Sequence, residues 1–188
     1  MRVHHAARRH TRYAGLHDPT AAMRLACCLA LFVVAGPAAG QTLTGGVGWG
    51  SVSDGRETVV FAGLATVPAG AWQVGVYGAY DTEIVLTGDW VDWQGVGALL
   101  AGRSVDVGAL RLSALAGPAL AYARRAPNVS PARPDDPALE PGAVVRAQAA
   151  AFPLRRLPVG LALDVGLTAT TRATTWSMTP ALVVRFGR

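Results

Sequence analysis

The run from Trp176 to Phe186 limits what this chain can fold into more than any other segment. Its even positions are Trp176, Met178, Pro180, Leu182, Val184 and Phe186; its odd positions are Ser177, Thr179, Ala181, Val183 and Arg185. Successive side chains of a strand point to opposite faces, so one face is apolar from end to end and the other is small or polar. Aromatic, aliphatic, aromatic along a single face is the order expected of a strand that crosses a bilayer and is girdled at both interfaces.

Similar runs recur after residue 40. They cover Thr42–Ser51, Glu57–Val67, Ala71–Tyr80, Asp89–Ala101, Ala109–Tyr122, Ala143–Phe152 and Val159–Thr170, which with the last makes eight. Glycine is spread through them, which opposes helix, and no window after residue 40 holds 18 consecutive apolar residues. The clearest alternation sets Val159, Leu161, Leu163, Val165 and Leu167 against Gly160, Ala162, Asp164, Gly166 and Thr168. The least clear is the fourth run, where Val96 and Leu100 blur the phase. Ser53–Arg56, Pro68–Gly70, Arg103–Val107 and Pro153–Pro158 read as connections, 81–88 as a polar loop, and the Pro-rich stretch around Pro127–Pro141 as a long one. Short and longer connections broadly alternate, as in outer-membrane barrels with both termini in the periplasm. Trp72 and Tyr80 would lie about 20 Å apart along the membrane normal, close to the height of an apolar band.

The basic balance, +5 over 188 residues, belongs to the start of the chain. Five arginines and one acid precede residue 41; twelve arginines and eleven acids follow, with no lysine and no basic stripe, which excludes a nucleic-acid binder. Met23-Arg24, the apolar run Leu25–Ala35, Gly36-Pro37 and Ala38-Ala39-Gly40 read as a secretory signal peptide over 23–40, cut between Gly40 and Gln41. Residues 1–22 read as an over-called extension, with translation beginning at Met23. Both cysteines, Cys27 and Cys28, fall inside the leader, and all four histidines precede it. The mature chain, 41–188, thus offers no disulfide, no Cys/His metal site and no His-based triad, and no cofactor is expected.

The signal peptide, the eight runs and the closing TWSMTPALVVRFGR resemble the small eight-stranded outer-membrane β-barrel proteins of Gram-negative bacteria, the class of the OmpA transmembrane domain and OmpX. That resemblance implies an all-β fold, an eight-stranded antiparallel up-and-down transmembrane barrel. It implies a location in the outer membrane, with outer-membrane lipids as surroundings and the barrel-assembly machinery and periplasmic chaperones as partners in biogenesis. It also makes Phe186 the C-terminal assembly signal, although Gly187 and Arg188 follow it, and implies a monomer.

Chemistry-bearing constellations are few. Arg146 and Asp164 fall on the small or polar faces of neighbouring strands, and their midpoint, 155, sets them opposite one another across the Pro153–Pro158 connection. A charge in a narrow lumen needs a partner, so they read as a structural ion pair rather than a site; Asp164→Asn is expected to cost a few kcal/mol at most. Arg111 and Arg185 are expected near the periplasmic rim, with Asp92 towards the other end. Gly46, Gly48 and Gly50 copy part of a phosphate-binding motif without the helix it needs. Asp135-Asp136 and Asp81/Glu83 read as solvated loop acids. The function expected is a structural or surface-interaction role in the outer membrane, without enzymatic activity. The alternatives are an outer-membrane lipid-modifying enzyme, and a soluble periplasmic ligand-binding barrel with its apolar faces turned inward.

Overall fold

The computed structural model describes residues 40–83, 93–125, 136–153 and 158–187. Residues 1–39, read above as an over-called extension and a signal peptide, lie outside them, as do Asp92 and Asp135. Eight strands follow one another: β1 Gln41–Val52, β2 Glu57–Ala69, β3 Trp72–Glu83, β4 Trp93–Val107, β5 Leu110–Arg124, β6 Ala138–Ala151, β7 Val159–Thr170 and β8 Thr174–Phe186. Each pairs antiparallel with the next, and β8 closes on β1. No sheet edge is left, which removes the unpaired backbone donors and acceptors that hydrocarbon cannot satisfy.

The register fixes the shape. From Val67 the pairs run through Val74, Ala101, Ala116, Val145, Leu167, Trp176 and Ser51 and return to β2 at Glu57, ten residues from the start. A shear of that size over eight strands gives a tilt of about 40° and a barrel radius of about 8 Å, wide enough for side chains to fill and no more. The ladder is interrupted twice, between Gly46 and Trp49 on the β1–β8 seam and between Ala98 and Ala101 on the β4–β5 seam. Pro180 stands in the first gap and Pro118 in the second, and proline has no N–H to give a ladder.

Strand boundaries differ from the sequence reading: β2 runs on to Ala69 and β3 to Glu83, so Asp81 and Glu83 lie in a strand and not in the polar loop. Residues 103–107 continue β4 instead of turning the chain, and the turn is the two residues Gly108-Ala109 with Gly108 at φ 64°. β6 begins at Ala138, so Glu140 and Pro141 belong to a strand rather than to the Pro-rich loop. The phase of β4 is regular: Gln94, Val96, Ala98 and Leu100 all turn inward and are buried. Val96 and Leu100 join an inner apolar cluster with Val60, Leu64, Tyr77, Leu115 and Val144.

The other faces carry the large apolar side chains outward. Leu161 is 64% exposed, Leu182 60% and Leu139 65%. Trp49, Phe61, Tyr80, Trp93, Tyr122 and Trp176 ring the end that carries the connections after β1, β3, β5 and β7, termed here the loop end. Trp93 stacks on Tyr80 at 6.4 Å and meets Tyr122 edge-on at 5.5 Å. Trp72 and Phe186 stand at the opposite, terminal end. An apolar belt of this extent cannot face water. The soluble barrel with inward-facing leucines is therefore overturned by the orientation of Leu161, Leu163 and Leu182.

Close approach between strands dictates glycine on the inner face. A Cβ at Gly48 would strike the Met178 carbonyl, whereas one at outward-facing Gly45 would meet nothing within 4 Å. Gly46 and Gly48 thus pack inside a strand and cradle no phosphate. Gly48→Val is expected to destabilise the barrel by about 1–3 kcal/mol and Gly45→Val to leave the urea midpoint unchanged. Equal midpoints for the two would contradict this packing. In the β1–β2 turn the Arg56 guanidinium donates to the Asp54 carboxylate, with Nε at 2.8 Å, and holds that carboxyl below its usual range. A depressed folded-state pKa stabilises above the unfolded value and is lost as pH falls through the folded one. Protection of the Gly55 amide, taken relative to its intrinsic exchange rate at each pH, is expected to fall only on acidification below the ordinary carboxylate range, here 3.8, and by little, because the pair is screened by solvent. A loss of protection between neutral and alkaline pH would contradict it.

Candidate functional site: a filled polar lumen

Three polar levels occupy the inside of the cylinder. At mid-depth Arg146 of β6 is 1% exposed. Its Nη2 pairs with Asp164 Oδ1 on β7, its Nη1 donates to Ser177 Oγ on β8 at 2.8 Å, and its guanidinium lies 4.7 Å from the centre of the Tyr77 ring on β3. One side chain thereby spans the lumen. Register places Gly166, not Asp164, directly opposite Arg146, and Asp164 opposite Gln148. The pair is therefore diagonal, offset by two residues from the face-to-face arrangement the hairpin midpoint suggested. Gly166 leaves the space, since a Cβ there would meet the Arg146 guanidinium. Gln148 Nε2 reaches Asp164 Oδ2 at 3.5 Å and Thr44 Oγ1 at 3.3 Å.

Nearer the loop end lies a belt that the sequence reading missed. Arg125 donates to both Glu140 oxygens, at 3.3 and 2.9 Å, and to Gln94 Oε1 at 2.8 Å. Gln94 Nε2 donates to Asp81 Oδ2 at 2.5 Å and to Thr175 Oγ1 at 3.2 Å, and Thr170 Oγ1 donates to Glu140 at 2.7 Å. Asp81 and Glu140 are buried inward-facing strand residues, not loop acids. Strict inner-face parity with Gln94 and Asp81 was the one available signal.

The third level is at the terminal end. Thr42 and Thr66 share a hydrogen bond of 2.6 Å, and Gln73 Nε2 donates to Thr66 at 2.9 Å. Arg111 donates twice to Asp106, at 2.7 and 2.8 Å; Arg185 comes within 3.6 Å of the same carboxylate and lies over Phe152 at 4.1 Å. Phe186 ends β8 on the outer face, paired with Gln41, and Gly40 N donates to its carbonyl at 2.9 Å. Between the levels, the apolar cluster leaves a cavity of about 10 Å³ lined by Thr44, Leu64, Tyr77, Asp164 and Thr179, room for about one water molecule. No group of three His, Cys, Asp or Glu positioned for a metal occurs among the described residues.

A closed, tilted, antiparallel cylinder with an apolar exterior and a polar, occupied interior is a small transmembrane β-barrel. Comparison with solved structures agrees on the fold. The chain is similar to Neisserial surface protein A (TM-score 0.58, 11% identity, covering 80% of this chain and 99% of that one). It is similar also to Ail, the attachment invasion locus protein of Yersinia pestis (0.54, 12%, 79% and 100%). The N-terminal β-barrel domain of Pseudomonas aeruginosa OprF is a third (0.54, 10%, 79% and 98%). No protein-family model and no curated protein sequence matches the chain.

Removing one member of a fully buried pair strands the other charge, at a cost of about 3 kcal/mol. Asp164→Asn is expected to lower the unfolding midpoint by that measure, while Arg146→Met with Asp164→Leu recovers most of it by replacing charge with packing. An unchanged midpoint for Asp164→Asn would remove the pair as a structural determinant.

Proposed function

We propose that this chain is an outer-membrane protein of a Gram-negative bacterium with a structural or surface-interaction role: a closed barrel that anchors its loop end at the cell surface, without a diffusion path and without catalysis. The occupied lumen is the observation that carries the reading. Arg146, Asp164, Ser177 and Tyr77 close the cylinder at mid-depth, and the Arg125–Glu140–Gln94–Asp81 belt closes it again above. The polar side chains that line the interior mostly hold one another, which suits a rigid support and supplies no free acid–base pair of the kind lipid chemistry needs.

The topology supports an orientation. The turns after β2 and β4 are tight, at Gly70-Ala71 and Gly108-Ala109, and lie at the end that carries both strand termini. Short turns face the periplasm in this class, so the loop end faces outward and is the end offered to a partner. In the same reading the chain works as a monomer, and Phe186 serves the assembly machinery as the terminal aromatic.

Membrane fractionation is expected to recover the protein with outer membranes, with a band that shifts on heating before electrophoresis. In planar bilayers the folded protein is expected to give no stepwise conductance, and lipid A profiles are expected to match with and without it. Recovery in the soluble periplasm would overturn the location; regular conductance steps or a changed lipid A profile would overturn the role.

A further inference from the structure

On the outer face the described charges are Arg103, Arg124 and Glu57, and only Arg103 stands at the terminal end. Its guanidinium lies 5.0 Å from the centre of the Trp72 ring, and no carboxylate pairs with it among the described residues. The shear brings Arg103 to nearly the same depth as Trp72, the level of an interfacial girdle. From there towards mid-membrane the exposed surface drops to methyl groups. Arg103 pairs with Ala114 and Ala114 with Ala147; one step deeper, Ala101 pairs with Ala116. Leu112 and Val145 stand as the rim of this recess.

The geometry points to an anionic phospholipid docked here, its phosphate on Arg103 against the Trp72 ring and an acyl chain in the Ala101–Ala114–Ala116–Ala147 recess. The assignment rests on the membrane reading above and adds a specific lipid contact to it. Charge favours this occupant. Among the described residues the terminal end carries Arg103, Arg111 and Arg185 against the one acid Asp106, whereas at the loop end the acids Asp54, Glu57, Asp81, Glu83, Asp136 and Glu140 outnumber Arg56, Arg124, Arg125 and Arg172. The leaflet at the terminal end therefore meets a positive rim, where each basic group attracts anionic headgroups. A second copy of the chain fits less well, since among the described residues the terminal end has no acid on the outer face to receive the Arg103 of a partner.

The test uses the full chain refolded in neutral detergent and titrated with phosphatidylglycerol or with phosphatidylcholine, bound lipid being counted by native mass spectrometry. The wild type is expected to retain one phosphatidylglycerol in preference to phosphatidylcholine. Arg103→Gln is expected to weaken that retention about fivefold, the factor for one basic group at an anionic surface. Ala114→Leu, which fills the recess and keeps the charge, is expected to weaken it as well. The heat-modifiable band of each sample reports folding separately, so loss of the band shift counts against the barrel reading and leaves the lipid result distinct. Equal retention by all three proteins, or equal retention of the two lipids, would overturn the assignment. So would a wild-type dimer that Ala114→Leu dissolves.

Discussion

Ring closure at a radius of about 8 Å governs the rest of this molecule. Eight strands closed with a shear of ten leave an interior that two or three side chains bridge. A charge placed there is shielded from bulk water, so it is tolerable only when it is paired. Arg146 meets a carboxylate, a hydroxyl and an aromatic face drawn from three other strands, and only its Nε is left without a hydrogen-bond partner. Because two of those partners come from β8 and β3, which share no ladder with β6, the arginine ties together separate parts of the ring, and specificity of closure is stored in the lumen as well as in the backbone.

The same closure explains the division of residue types. Between the two rims outward positions have ample space and one requirement, to be apolar, and leucine, valine, alanine and the aromatics fill them. Inward positions have little space and mixed requirements. Glycine sits where a neighbouring backbone crowds, as at Gly48, or where the Arg146 side chain does, as at Gly166, and threonine and glutamine sit where a hydroxyl or amide can be met. Half of the interior, centred on Val60, Leu64, Val96 and Leu115, is simply apolar packing.

That division sets what could be read from the chain. Alternation needs only the sign of each face, so the eight strands and the lipid-facing direction of Leu161, Leu163 and Leu182 were legible without coordinates. Strand ends were less so. Glu140 and Pro141 look like loop residues until Arg125 and Thr170 are seen to hold the acid, and Arg103 to Val107 look like a turn although they stay paired with β5 beyond the start of β3. Lateral register was the least legible. It depends on where the β6–β7 pairing is centred, and a shift of one residue in that centre moves Arg146 from facing Asp164 to facing Gly166. The belt was hidden for the same reason: its members come from β3, β4, β6 and the end of β5, and only the shear brings them to one height.

The two prolines in mid-strand bear on how the ring deforms. Pro180 and Pro118 interrupt seams that lie diametrically across the cylinder, β8 to β1 and β4 to β5. Each intervening half, β1–β4 and β5–β8, is a four-stranded sheet without a break in its ladders. Lateral pressure from a thinning or crowded bilayer would therefore meet two stiff shells joined by two softer hinges. The cross-section would flatten towards an oval along one fixed axis, and Arg146, whose contacts lie on both shells, would feel that flattening first.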